Sequence, residues 1–453
     1  MFPQLHNLRI VINDSRDNSQ ARKQATAMVA RQAAGLHSLT LVNVIHYSRV
    51  WKVLHAVAIH PSRLRVLTLR NVTFFLDHWN PDHRELFSRL EALRLDNSLL
   101  WFRQDFAEGV PDAHFFAPIE EEGSVEDSLV KRGQYWKPLP DIKIQHLSMN
   151  NPYVTKEQYL FLLDCRELRS LQWVKEQAGE RGNIKPALAK WLREGQWPFL
   201  ERLEIVMTQF SDQELAEILE AMPRPLKTLR MDKTAFAEAS TRALLESGEG
   251  HHRKSLESLS LVGCADLQGS MVQQFLCEMP RLRKLHARVL TDQDMAKDPR
   301  PWVCQNMRYL QVGFVYQLLS ENSAEQPVEV ASEGQLPRSA LFDRLAGLSN
   351  LHTLGFMNSQ PVEERTGAQR KHTTRPDFHK LLIQNGLDVL KSLTGLQFLL
   401  FGETDQDLTS EEAQWMVDHW PRLRVVAVSR ASNNKETKIQ LRAFFQSHGI
   451  NST

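Results

Sequence analysis

Cysteine is scarce in this chain of 453 residues: Cys165, Cys264, Cys277 and Cys304 are all there is, and no two form a C-x-x-C pair. Paired cysteine clusters that would cap a secreted repeat protein or hold a zinc ion are missing, which favours a reducing compartment. The start, MFPQLHNLRIVIND, lacks the basic residues and long apolar run of a secretion signal. Without such a signal, the N-x-S/T triplets at Asn13, Asn71 and Asn451 read as chance matches. No stretch of eighteen apolar residues occurs, so no membrane-spanning helix is expected. An excess of one charge is also lacking, with 55 Lys and Arg against 54 Asp and Glu. That balance gives no bulk attraction to nucleic acid or to an anionic membrane, and neither is expected as a partner.

Catalytic patterns are absent too. The chain has no G-x-x-x-x-G-K-[ST] phosphate loop, no G-x-S-x-G elbow and no H-E-x-x-H zinc helix. His251 and His252 stand together in GEGHHRKS, where they read as part of a solvated, charged turn. No catalytic residue, cofactor or metal ligand is assigned, and the expectation is a protein that is not an enzyme.

What the chain does have is a phrase, Leu-x-x-Leu-x-Leu, that returns about fourteen times. It reads Leu36, Leu39 and Leu41, then Leu64, Leu67 and Leu69, then Leu90, Leu93 and Leu95, and later Leu256, Leu259 and Leu261 followed by Cys264. Copies start at Leu5, Leu36, Leu64, Leu90, Ile144, Leu168, Leu200, Leu226, Leu256, Leu282, Met307, Leu351, Leu396 and Leu423, mostly 24 to 32 residues apart. A period of this length carrying this phrase marks a leucine-rich-repeat solenoid. The alternate leucines of Leu-x-Leu point one way, as a strand requires, and the residues between and beside them face out.

Parallel strands need a long crossover, and several of the intervening segments are helical in pattern. SDQELAEILEAMPRPL (211–226) opens on a serine cap, repeats apolar residues at helical spacing and stops at proline. Residues 156–168, 266–282 and 409–423 follow the same plan, and Pro198, Pro280 and Pro421 sit just before the next phrase. The expected fold is an α/β solenoid, a horseshoe with an inner parallel sheet and outer helices. It forms a single array over 1–453 with a capping helix near 436–447. Irregular insertions fall near 102–143, 315–340 and 358–377. Segments of that length are either binding loops or disordered, and the sequence leaves both open. Trp173 takes an inward position and reads as core.

Outward strand positions supply the candidate recognition surface. They are Arg70, Arg94, Asp96, His146, Asn150, Gln172 and Glu204, then Arg230, Asp232, His286, Arg288, Tyr309 and Gln311. Arg and Tyr on the concave wall of a solenoid are frequent interface anchors, so a protein partner is expected there.

Four stretches, LESLSLVGC (256–264), PRLRKLHA (280–287), LTSEEAQWMVDHWPRLRVV (408–426) and IQLRAFFQSHGI (439–450), resemble the leucine-rich half of F-box proteins. The likeness is to the divergent F-box and leucine-rich-repeat proteins of early-branching filamentous fungi, and it covers nearly the whole chain. In that family an amino-terminal F-box docks on the adaptor of a cullin-type ubiquitin ligase, and the repeats hold the protein to be ubiquitinated. The resemblance thus implies substrate recognition in a cytoplasmic, or also nuclear, ligase.

This chain departs from the family at one point. Leu5, Leu8 and Ile10 already form a repeat phrase, and residues 11–35 lack the proline-rich, Trp-ended F-box pattern. Either a segment lies upstream of Met1 or the chain is a repeat-only relative, and no docking motif for the adaptor is seen. The alternative reading is a leucine-rich-repeat regulator of a small GTPase, of the GTPase-activating type.

Overall fold

The computed structural model describes residues 6–11, 19–43, 53–55, 57–58, 63–76, 81–102, 142–150, 161–174, 188–250, 252–315, 340–356, 387–401, 408–427 and 435–452. The cores of the three expected insertions lie outside these residues. The chain forms two compact units. The first holds Met1–Thr208 with Ala221–Arg224, and the second holds Gln209–Glu220 with Pro225–Thr453.

In the first unit the strands are β1 (Asn7–Val11), β2 (Ser38–Val42), β3 (Val66–Arg70), β4 (Thr73–Leu76), β5 (Ala92–Asp96), β6 (Leu99–Phe102), β7 (His146–Asn150), β8 (Ser170–Val174) and β9 (Arg202–Val206). In the second they are β10 (Thr228–Arg230), β11 (Ser258–Ser260), β12 (Lys284–Thr291), β13 (Tyr309–Val315), β14 (Thr353–Phe356), β15 (Phe398–Leu400), β16 (Val425–Ala427) and β17 (Asn451–Ser452). Among the described residues the strands pair in parallel, neighbours in the main sheet follow chain order, and β4 and β6 form a pair of their own. The fold is an α/β solenoid of leucine-rich repeats. Each of the fourteen phrase starts lies just before a main-sheet strand, and β17 adds one more after the last of them.

The register shows why the leucine phrase builds this ladder. Leu39, Leu67, Leu93 and Leu147 are partners across four strands, as are Leu229, Leu259, Leu285, Leu310 and Leu354 across five. Every one of these is buried. A fully buried leucine typically costs about 2–5 kcal/mol to truncate to alanine, so the inward column holds each repeat to the next.

Helices occupy the crossovers. The first unit has α1 (Ser19–Gln32), α2 (Pro81–Arg89) and α3 (Leu188–Arg193). The second has α4 (Asp212–Glu220), α5 (Glu238–Gly250), α6 (Gly269–Glu278), α7 (Asp292–Lys297), α8 (Ala340–Ala346), α9 (Ser410–His419) and α10 (Lys435–Ser447). The helix expected near 436–447 is therefore α10. The pattern read at 211–226 yields α4, opened by Ser211, whose hydroxyl accepts from the Glu214 N–H at 3.3 Å. Glu214 Oε2 in turn accepts from the Ser211 N–H at 2.7 Å, closing a capping box. Thr409 and Glu412 make the same device at α9. Of the segment read at 156–168, residues 161–164 are helical and the part before them lies outside the described residues.

One expectation fails. His252 is not a solvated turn residue but is 2% exposed. Its Nδ1 accepts from the Leu226 N–H at 3.1 Å, which leaves Nε2 to donate to the Leu219 carbonyl at 3.0 Å. A charged-looking GEGHHRKS string hides an imidazole that satisfies two backbone groups of the neighbouring repeat. Trp173, by contrast, is buried as its inward position suggests, and so are all four cysteines.

Candidate functional site

With leucines filling one side of the sheet, the alternate positions form three rows on the open side. On the first unit one row runs Ala92, His146, Ser170, Arg202; the next runs Arg94, Ser148, Gln172, Glu204; the third runs Asp96, Asn150, Val174, Val206. Arg70 continues the third row on β3. The seven candidates of this unit thus share one face.

Their bonding differs sharply. Arg70 is tied to Asp96, with Nη2 to Oδ2 at 3.0 Å and Nε to Oδ2 at 3.2 Å. Gln172 Oε1 accepts from the Ser148 hydroxyl at 2.7 Å. Arg94 is exposed and makes no ion pair among the described residues, and Arg202, which also faces out, makes none either. Burial, with the fields of Arg202, Arg94 and Arg169, holds the His146 imidazole below its ordinary pKa, against a smaller opposing pull from Glu91. The Asn150 Oδ1 is buried without a hydrogen-bond partner.

Three residues in the connections before β8, β9 and β10 deepen this picture. Arg169 lies 5.6 Å from the ring centre of Phe199, and Arg224 lies 4.9 Å from it. Phe199 is 37% exposed, an aromatic plate between two guanidinium groups. Beyond the strands, Asn43, Asn71 and Asn97 all have positive φ, at 59°, 53° and 47°. The Asn71 amide donates to Asn43 Oδ1 at 2.7 Å, and the Asn97 amide donates to Asn71 Oδ1 at 2.8 Å. This asparagine ladder turns the chain out of three successive strands, in the left-handed conformation that Asn tolerates.

On the second unit the open rows run Thr228, Ser258, Lys284, Tyr309, Thr353, Phe398, Val425 and Arg230, Ser260, His286, Gln311, Gly355, Leu400, Ala427. Asp232 follows β10 and is 6% exposed, so it supports the surface from beneath. It accepts from Arg230 Nε at 2.5 Å, from the Ser260 hydroxyl at 2.6 Å and from the Val262 N–H at 2.9 Å. His286 meets the Tyr309 ring edge-on, with centroids 6.3 Å apart. Burial pushes the His286 imidazole down; the Asp232 charge opposes this and Arg230 adds to it. The Tyr309 hydroxyl donates to Gln311, two residues along on the same face. Arg288 sits where the β12–β13 register shifts, and Nη1 donates to the Ala265 carbonyl at 3.3 Å. A bulge of this kind re-aims a side chain that a regular strand would fix. Past β13 the rows turn apolar, with Phe398 37% exposed beside Leu400, Val425 and Ala427.

Two signals in the sequence point to residues beyond the outward positions singled out from it. Arg202 precedes Leu203 as His146 precedes Leu147, which places both in one row. The ladder asparagines stand two residues after Leu41, Leu69 and Leu95. Among the described residues no group of three or more His, Cys, Asp or Glu is placed to hold a metal ion, and no helix is long and apolar enough to cross a membrane.

Comparison with known proteins adds a likeness of backbone. No protein-family model matches the chain, and no curated protein matches it. Among solved structures it is similar to a chain in the crystal structure of the Rad7 and Elc1 complex in yeast, at 12% identity and a TM-score of 0.43. That likeness covers 93% of this chain and 85% of the other. At such values it is a resemblance of backbones and bears no functional argument.

Proposed function

We propose that this chain is a non-enzymatic protein-binding scaffold, and that the protein it holds is a substrate for ubiquitination, as the resemblance to F-box repeat proteins implies. One observation carries the reading: the open face of the strands is a pre-organised set of polar anchors. Arg230 is fixed by Asp232, Asp232 is fixed by Ser260 and the Val262 N–H, and Tyr309 is fixed by Gln311. Side chains held in place before binding lose less entropy when a partner arrives, and Arg and Tyr are the residue types that then contribute most.

The test is affinity capture of the full chain from its own cells, read by mass spectrometry against an Arg230→Glu/Arg288→Glu variant of unchanged melting behaviour. The reading expects specific partners to be held by the native chain and lost by the variant. A cullin-ligase adaptor among them supports the ligase link. Identical partner lists for the two proteins overturn the assignment of this face.

A further inference from the structure

Arg94 on β5 and Arg202 on β9 stand at opposite ends of one open patch in the first unit, with β7 and β8 between them. Between the two arginines the rows carry His146, Ser148, Ser170 and Gln172, with the short side chains of the two serines nearest the line that joins the two cations. His146 lies inside this stretch, and Arg169 borders it, with its guanidinium against Phe199.

The neighbouring acids do not neutralise the pair. Glu91 is matched with Arg65 at 3.2 Å and Asp96 with Arg70 at 3.0 Å. Glu201 and Glu204 each carry interactions of their own. Arg94 and Arg202 therefore present their charge outward, and an arginine fork left open matches a carboxylate in a two-point geometry.

We propose that this face of β5, β7, β8 and β9 holds an acidic peptide segment of a partner protein, laid across the strands with carboxylates on Arg94 and Arg202. The inference rests on the scaffold reading and names the chemistry of the partner. The spacing fits it. Three strand intervals at roughly 4.8 Å each, with the two-residue offset between the rows of Arg94 and Arg202, place the two arginine backbones about 16 Å apart. An extended peptide rises about 3.4 Å per residue, so side chains four residues apart on one face are separated by about 14 Å, a difference within the reach of two long arginine side chains. Glutamates or aspartates at positions i and i+4 meet both arginines. The side chain at i+2 falls over Ser148 and Gln172, which already share a hydrogen bond of 2.7 Å. The exposed Phe199 plate, flanked by Arg169 and Arg224, offers an apolar stop at the border.

The experiment uses the full 453-residue chain and a fluorescein-labelled peptide of alternating Glu and Ser, read by fluorescence anisotropy. Controls are the matching Gln-Ser peptide and a single-stranded oligo-dT of equal charge. The expected result is binding of the Glu-Ser peptide, at least tenfold weaker for an Arg94→Ala/Arg202→Ala variant and unchanged for Arg242→Ala, an exposed residue of α5 away from the strands. Weakening with added salt is also expected, since the contact is between exposed charges. Equal affinity for the Gln-Ser peptide, or undiminished binding by the double variant, overturns the proposal. Tighter binding of oligo-dT through the same two arginines also overturns it, in favour of nucleic acid. If the peptide fails while cellular partners are still lost by Arg230→Glu/Arg288→Glu, the acidic-segment inference falls and the scaffold reading stands. If both fail, the open face as a whole loses its role.

Discussion

Replacing Asn71 separates two forces that hold the amino-terminal repeats together. Its side chain donates to Asn43 and accepts from Asn97, and its backbone sits at φ 53°. Both hydrogen bonds are solvent-exposed, which puts each at the low end of the usual range, about 0.5 kcal/mol. Alanine loses both and must also adopt a left-handed backbone at about 1–2 kcal/mol, for a total of about 2–3 kcal/mol. Glycine loses the same bonds but not the steric term, and its extra chain entropy restores only about 0.5–1 kcal/mol of cost. Asn71→Gly is therefore the milder change, by about 1 kcal/mol, or roughly fivefold in a local opening constant.

Hydrogen exchange suits this measurement better than a global melt, because repeat arrays open locally. The amides to follow are Asn43 N–H, bonded to the Arg70 carbonyl, and Asn71 N–H, bonded to the Asp96 carbonyl. Faster exchange in β2 and β3 is expected for both variants, and faster for alanine than for glycine. Equal exchange in the two variants removes the backbone term from the argument. Unchanged exchange in both removes the ladder.

Two further outcomes follow from groups whose pKa the fold shifts. Burial alone raises the Asp212 carboxyl pKa, but the Ser240 hydroxyl and the N–H groups of Ser240, Ala237 and Ala239 hold it below its ordinary value. A depressed folded-state pKa gives stability that is present above the unfolded value of about 3.9 and lost as pH falls through the folded one. Denaturation of the second unit in acid should flatten in Asp212→Asn, which also weakens the cap on α5; an unaltered acid profile refutes the role. Burial raises the Cys165, Cys264 and Cys277 thiols and pushes Cys304 up to about 12. Native protein at pH 8 should therefore react with a thiol reagent at none of its four cysteines, and at all four after unfolding; rapid labelling of any of them in the native state contradicts their packing.

The fold was legible because a strand repeat writes itself into sequence twice, as alternation within Leu259-x-Leu261 and as recurrence from one copy to the next. Capping residues added the helix starts, as Ser211 and Thr409 show. Outward positions could be placed on one face for the same reason. What alternation cannot show is whether an outward polar side chain is already spent. Asp96 and Asp232 look alike in sequence, yet one answers Arg70 from the neighbouring repeat while the other is drawn inward by Ser260 and a backbone N–H. His252 belongs to the same class, since its two partners come from Leu219 and Leu226.

The distinction between spent and unspent charge decides where recognition can occur. Arg70 must break an ion pair with Asp96 before it can meet a ligand, whereas Arg94, one repeat later, gives up only water. Arg70 follows the last leucine of its phrase and Arg94 stands between the last two of its own, yet both are outward positions and sequence alone weighs them equally. β5 pairs directly with β7 across the whole intervening insertion, which sets Arg94 beside Ser148 and His146 rather than beside another acid. A face on which some cations are neutralised and others left open is selective, because an acidic partner gains from the open ones only when its carboxylates match their spacing. Moving the open charge, for instance by Ser148→Arg, should therefore shift the preferred carboxylate spacing of the bound peptide and leave the fold intact. A peptide series with acids at i+2, i+4 and i+6 reads that shift directly, and an unchanged preference would show that the spacing of the arginines does not set it.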